Sequence, residues 1–379
     1  LRIAMIGSRG VGSHYGGIER MLDALCPELA ARGHDVDVFG RINVTFDDIV
    51  LPGGGSVRAV RTAAVGGKHG ENLSRSVHAL WLAMRRYDVV HFHAIGPGIL
   101  STATRLFRQK SLVTIHGLDH QRAKWGRIAK RCLSLAERTL VANADGISVV
   151  SEPLRRYFEE VYGAATAFVP NGLNRGDRVP PGVLLREHQL QAGRYLLFAS
   201  RLTPEKGCHD LIAAFNTVPT DMRLVVAGAS GTPEYLAALR AAADPARVCF
   251  VGHRTGDELA ELFCNAYAFI LPSHLEGMSM ALLEAVSFGV PGLVSDIEEN
   301  HAVLGTEGFF FPPRDVPALR AALGDLLAAP EKVAAVARRL AMLNRPDWAE
   351  VAARYDSLYR AVCSQQGAAA AWAELAAVP

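Results

Sequence analysis

The sequence predicts an α/β protein built from two open, parallel-sheet domains in tandem. Two observations carry that expectation. Short apolar, β-branched runs alternate with helical patterns along nearly all of the 379 residues. Strands apolar on both faces and separated by helices belong in a parallel sheet covered on both sides. A turn-rich stretch, Pro170-Asn171-Gly172 through Pro180-Pro181-Gly182, then interrupts the alternation before it resumes, as an interdomain linker would.

In the first half, strands are expected at 2–7, 35–40, 57–61, 88–93, 111–116, 146–151 and 165–170. Helices are expected at 18–32, 72–86, 97–108, 123–142 and 153–162. Gly33 stands just past the first helix, where a glycine stop belongs. In the second half the strands fall at 195–200, 223–228, 248–252, 268–272, 292–295 and 308–311. The helices between them fall at 208–217, 233–243, 257–266, 279–288 and 316–327. Residues 330–363 read as helix apart from a break at Pro346, and the Ala-rich chain from Gln365 as a helical extension or a frayed tail. The domains are accordingly set at 1–175 and 176–345, with a C-terminal helix and tail at 346–379. Two such sheets in tandem place a cleft between their carboxyl ends, where these folds bind ligands.

Composition excludes several classes. Half of the residues are hydrophobic and 21% are charged, which rules out a disordered chain. The longest apolar runs, Tyr195–Ser200 and Ala266–Pro272, fall far short of the ~20 residues of a membrane-spanning helix. The opening Leu1–Gly7 lacks the basic start and long apolar stretch of a signal peptide. Cys26, Cys132, Cys208, Cys249, Cys264 and Cys363 are scattered without a Cys-x-x-Cys pair or clustering with His. Reduced, mostly buried thiols of a cytosolic protein are therefore expected. A net charge of +2 gives no bulk reason to expect nucleic acid as a partner.

Chemistry concentrates in three loops. The first, Gly7-Ser8-Arg9-Gly10-Val11-Gly12-Ser13-His14-Tyr15-Gly16-Gly17, joins the first strand to the first helix. It is not a dinucleotide fingerprint, whose third glycine would fall at Tyr15, and it lacks the ending of a P-loop. Gly16-Gly17 at a helix N-terminus suits a phosphate, and equally a plain turn needing small residues. The second loop, Ser200-Arg201-Leu202-Thr203-Pro204-Glu205-Lys206-Gly207, follows a buried strand. Arg201 and Lys206 suit a diphosphate that develops negative charge, or they are two solvated loop cations. The third loop, Pro272-Ser273-His274-Leu275-Glu276-Gly277-Met278-Ser279, leads into a helix carrying Glu284. Eight residues are about two turns plus 80°, so Glu276 can stand at the helix mouth while Glu284 projects from the second turn. A Glu among Ala281, Leu282, Leu283, Ala285 and Val286 suggests a ligand's paired hydroxyls; the alternative is a surface Glu on an amphipathic helix.

With this Arg-x4-Lys pair and Glu-x7-Glu element, the chain resembles family 4 of the retaining, nucleotide-sugar-dependent glycosyltransferases. That family has the GT-B fold, two Rossmann-like domains facing a central cleft. The resemblance runs from Gly16-Gly17-Ile18-Glu19-Arg20 to Ser295-Asp296. His91-Phe92-His93 through His116-Gly117-Leu118-Asp119, with Ala123-Lys124-Trp125-Gly126, is more loosely similar to a bacterial branch that builds surface polysaccharides.

The resemblance implies a role for each matching residue. Gly16 and Gly17 would approach the donor diphosphate, and Arg201 and Lys206 would neutralise it as a leaving group. Glu284 would accept both ribose hydroxyls, and Glu276 would sit against the donor sugar. Gly277, Met278 and Ser279 would offer it backbone amides. His116 matches a histidine near the reacting centre, and Arg254 falls where the base is often contacted. Asp119, Arg122, Lys124 and Trp125 fall on the acceptor side, whereas His14, His91, His93 and His274 read as structural or peripheral. The final helix would pack back on the N-terminal domain.

The expected reaction is metal-independent, retaining transfer from a UDP-, GDP- or dTDP-sugar to a saccharide or a polyprenyl-diphosphate-linked acceptor. No cofactor is expected, since the nucleotide-sugar is a co-substrate. The alternatives are a nucleotide-sugar epimerase of the same fold and a non-catalytic nucleotide-sugar binder. The sole Asp-x-Asp, Asp35-Val36-Asp37, lies within an expected strand and not at a donor loop.

The near-zero charge hides an asymmetry. Residues 1–180 hold 24 Lys plus Arg against 16 Asp plus Glu, a net of +8, and the remainder a net of −6. Arg122, Lys124, Arg127, Lys130, Arg131 and Arg138 gather around Trp125. They form either a solvated helix face or a docking face for the anionic inner leaflet, which makes a cytoplasmic, peripheral membrane location an expectation.

Overall fold

Strand β1 (Arg2–Ile6) lies inside the first sheet because the chain winds away from it in both directions. It is followed by β2 (Asp35–Arg41), β3 (Ile49–Val50), β4 (Ser56–Thr62), β5 (Val89–His93), β6 (Lys110–Ile115), β7 (Gly146–Val149) and β8 (Ala167–Phe168). Their order is β3-β4-β2-β1-β5-β6-β7-β8. Every pair is parallel except β3–β4 at the edge. The winding reverses between β1 and β5, so the loops leaving these neighbours diverge and open a crevice at their carboxyl ends.

The second sheet repeats the logic. Strands β9 (Tyr195–Ala199), β10 (Arg223–Ala227), β11 (Val248–Gly252), β12 (Ala268–Leu271), β13 (Gly292–Ser295) and β14 (Phe309–Phe311) take the order β11-β10-β9-β12-β13-β14, all parallel. Alternate residues feed two cores. Leu197, Val225, Phe269 and Val294 pack on one face, and Leu196, Phe198, Leu224, Ile270 and Leu293 on the other. Burial on both faces is why these strands read as continuous apolar runs. Here the reversal falls between β9 and β12.

The computed structural model describes residues 1–13, 16–41, 47–51, 54–65, 71–121, 125–174 and 176–364. It falls into two units, Leu1–Gly172 with the chain from Pro346 on, and Leu173–Arg345. Much of the turn-rich stretch expected as a linker is in fact docked on the second unit. Arg178 donates to the Cys264 carbonyl at 2.8 Å, and the Gly182 and Leu185 amides donate to buried Glu261 at 2.7 and 2.9 Å. Arg175 lies outside the described residues.

The helix Trp348–Cys363 opens with a capping box, Asp347 and Glu350 each accepting from the other's amide. It packs on the helix Gly17–Ala31 and against β5 and β6. His34 Nε2 meets Asp356 Oδ1 at 3.0 Å. Fully buried Tyr355 and Tyr359 reach a polar network under the sheet. His91 Nδ1 bonds the Tyr359 hydroxyl at 2.8 Å and Nε2 bonds Thr114 Oγ1 at 2.6 Å. Thr114 is shared with Ser148 and Tyr355.

Other differences from the sequence reading are local. The helix expected at 97–108 is two short ones, Ile95–Gly98 and Ser101–Leu106. That expected at 123–142 runs over Arg127–Asn143, with a 3-10 turn at Asp119–Gln121 before it. The thiols are not mostly inside: Cys26, Cys208 and Cys264 are buried, Cys249 and Cys363 half-buried, and Cys132 faces out from the Arg127–Asn143 helix. Among the described residues, no helix is long and apolar enough to cross a membrane.

Candidate active site

In the second unit, the reversal point brings together two of the three loops singled out in the sequence. The loop after β9 carries Arg201 and Lys206, and the loop after β12 carries Glu276. Gly207 makes their close approach feasible. Its φ is +67°, and a Cβ there would stand 2.0 Å from the Pro272 carbonyl oxygen. The His274 amide then donates to the Glu205 carbonyl at 2.8 Å, stitching one loop to the other.

Across this stitch Lys206 Nζ donates to both Glu276 oxygens at 2.6 Å, with only 14% and 5% of the two side chains exposed. A largely buried pair of this kind holds its shape because removing either partner strands the other's charge. Arg201 sits half-buried at the start of the loop. Ser279 caps the helix Met280–Ser287, its hydroxyl accepting from the Leu282 amide at 3.3 Å. From that helix Leu282, Leu283, Ala285 and Val286 point into the core, and Glu284 stays half-exposed on the second turn.

Glu299, at the start of the helix after β13, belongs to the same neighbourhood. Burial first, and then the charges of Glu276 and Glu298, raise its carboxyl above the usual range. Nothing in Ser295–Glu299 marks this carboxyl in the sequence, and only the pairing of β13 with β12 brings it near Glu276. Arg254 folds back on its own turn, donating to the Val251 carbonyl at 2.8 Å and pairing with Glu258 at 3.2 Å.

In the first unit the glycine loop leaves β1 at the other reversal point. Gly7 has a φ of +119°, and a Cβ there would meet the His93 carbonyl at 2.4 Å. Two acids of the following helix hold the loop. Buried Glu19 accepts from the Arg9 amide at 2.9 Å, and Asp23 from the Gly12 amide at 2.7 Å. Gly16 is extended and Gly17 begins the helix, with no side-chain cap on its amides. His14 and Tyr15 lie outside the described residues.

At the carboxyl ends of β5 and β6, His93 Nδ1 meets His116 Nε2 at 3.1 Å. Ala94 next to them is held at a φ of +80°, a conformation that costs a non-glycine residue roughly 1–3 kcal/mol. Burial, with a smaller push from His116, lowers His91 to about 3, and burial, with smaller pushes from His91 and His116, drives His93 well below its ordinary value. His91 and His93 are fully buried, whereas His116 is half-buried at the strand end. Asp119 begins the 3-10 turn after β6, and Trp125 stands half-buried before the Arg127–Asn143 helix. Arg122 and Lys124 lie outside the described residues.

Residues 15–176 match the family described as Glycosyltransferase Family 4, and residues 193–329 the one described as Glycosyl transferases group 1. Over 402 aligned positions the chain is 30% identical to glycogen synthase of Mycobacterium tuberculosis, covering 95% of each. In fold it is similar to sucrose-phosphate synthase from Thermosynechococcus elongatus, with a TM-score of 0.78 and 24% identity over 95% of this chain and 98% of that one. It is also similar to HepE from Anabaena in complex with UDP-glucose, with a TM-score of 0.74 and 16% identity over 94% and 98%. Together these define a glycosyltransferase with two Rossmann-like units. The chain belongs to glycosyltransferase family 4, with the GT-B fold.

Proposed function

We propose that this glycosyltransferase moves a sugar from a nucleoside-diphosphate-sugar to a saccharide or lipid-linked saccharide, with retention of configuration and without a metal at the diphosphate. The observation that carries the reading is the Lys206–Glu276 pair at the β9/β12 reversal point, with Arg201 and Glu284 on the flanking loop and helix. The complex of HepE with UDP-glucose supports the donor class.

Arg201 and Lys206 take the diphosphate charge as the bond from the anomeric carbon to the phosphate oxygen breaks. The acceptor oxygen bonds that carbon from the same face and passes its proton to the departing phosphate oxygen. Cations fixed before reaction stabilise this developing charge without reorganising. Glu276 holds Lys206 in place and lies against the sugar, whose hydroxyls meet the amides of Gly277, Met278 and Ser279. Arg254 is assigned to the base, and Gly16, Gly17 and His116 are the first unit's donor-side groups. Asp119 and Trp125 serve the acceptor. The Asp35-Val36-Asp37 pair is committed elsewhere, which supports a metal-free diphosphate site. Asp37 binds Arg58 and Tyr87, and Asp35 accepts from Ser56.

Glu284→Ala tests the ribose contact. Hydrogen bonds to a charged group contribute about 1.5–3 kcal/mol, so donor affinity should fall by about 10- to 150-fold. A thermal-shift titration with UDP-, GDP- and dTDP-sugars reads this, and an unchanged donor Kd in the variant would remove Glu284 from the site.

The membrane reading gains support from the Arg127–Asn143 helix. Ile128 and Leu135 are 81% and 65% exposed on it, beside exposed Arg127, Arg131 and Arg138. Apolar side chains flanked by arginines suit an anionic bilayer surface. Co-sedimentation with liposomes should rise with anionic lipid content and fall for Ile128→Ser/Leu135→Ser. Sedimentation independent of anionic lipid would end this reading.

A further inference from the structure

His209, Asp210 and His274 stand together beside the Lys206–Glu276 pair, and nothing in the transfer reaction above uses them. Their ligand atoms all lie within 4.8 Å of one another. His274 Nε2 is 2.6 Å from Asp210 Oδ2, and His209 Nε2 is 3.4 Å from Asp210 Oδ1. The histidine rings meet edge to face with centroids 5.8 Å apart. His209 Nδ1 is 2.9 Å from the Tyr235 hydroxyl, which leaves Nε2 as the nitrogen turned to the cluster. An outer partner on the second ring nitrogen is the usual support of a metal-bound histidine.

From this geometry we propose that His209, Asp210 and His274 bind a divalent transition-metal ion of the Zn2+ class. Two imidazoles and one carboxylate suit Zn2+, and three protein ligands leave a fourth position open to water. Tetrahedral bonds of about 2.0–2.2 Å place ligand atoms roughly 3.3 Å apart, so small side-chain shifts close the site. Binding displaces the proton that Asp210 accepts from His274. The ion then ties the start of the helix Cys208–Phe215, where His209 and Asp210 follow Lys206 by three and four residues, to the next loop, where His274 precedes Glu276 by two. Its role is to brace the reversal-point loops, separate from the donor diphosphate.

The test uses untagged, chelator-stripped full-length protein with ZnCl2 and no sugar donor, so its outcome is independent of the transfer reading. Calorimetry should show one equivalent bound per chain. The thermal midpoint should rise by about 5–10 °C at free Zn2+ ~100-fold above Kd. His209→Gln and His274→Ala should each weaken binding at least about tenfold. His209 is a solvent-facing side chain, so its variant keeps the packing intact. Wild-type protein that binds no Zn2+, or variants that bind it as well as wild type, would overturn the site.

Discussion

Lys206→Ala is expected to lower turnover by about one to two decades or more. A charge-assisted contact contributes roughly 1.5–3 kcal/mol, and every 1.4 kcal/mol of lost transition-state stabilisation is about tenfold in rate. The structure adds a second consequence. With Glu276 only 5% exposed, removing its ammonium partner strands a buried carboxylate, a change that typically costs about 3–5 kcal/mol of stability. The double variant Lys206→Ala/Glu276→Gln isolates the stability effect. Stability should recover largely once the carboxylate is neutral, while turnover stays low. Wild-type kinetics in Lys206→Ala, or turnover restored together with stability in the double variant, would remove Lys206 from the chemistry.

A large loss of first-unit stability is expected as pH falls below about 6.5. His91 titrates near 6.5 when unfolded but only at about 3 when buried in the folded chain. Between those values the unfolded chain binds one more proton, so this contribution is complete above pH 6.5 and is lost progressively down to about 3. The slope is about 1.4 kcal/mol per pH unit for one histidine, or up to ~2.7 kcal/mol between pH 6.5 and 4.5. His93, also held well below its ordinary value by burial, acts in the same direction. Hydrogen exchange of the Trp348–Cys363 helix reads this locally, because Tyr359 and Tyr355 join that helix to the network. Protection should fall steeply from pH 6.5 to 4.5 after correction for intrinsic exchange, and less steeply in His91→Gln. An identical slope in that variant would show that His91 is not the titrating group.

The alternation of apolar strands and helices made the two sheets legible, since burial on both faces leaves a continuous apolar signature in the sequence. The Arg-x4-Lys and Glu-x7-Glu spacings are local too, and they mark the loops after β9 and β12 that the sheet brings together. What the sequence concealed depends on distance in the chain. Lys206 and Glu276 are 70 positions apart, and their pairing follows only from β9 and β12 being neighbours. Glu19 and Asp23 look like ordinary first-helix acids until the glycine loop folds over them. His274 reads as peripheral because its partners His209 and Asp210 sit on the helix Cys208–Phe215, more than 60 positions away in the chain. Ile49–Val50 is too short to carry periodicity, and residues 176–182 are irregular in sequence yet fixed by bonds to Glu261 and Cys264.

Same-face transfer from a nucleotide-sugar is the central step of the proposed mechanism. Proton NMR of the first-formed glycoside, recorded before any anomeric equilibration, tests it most directly. The new linkage should carry the anomeric configuration of the donor sugar, and an inverted linkage would contradict the proposed mechanism.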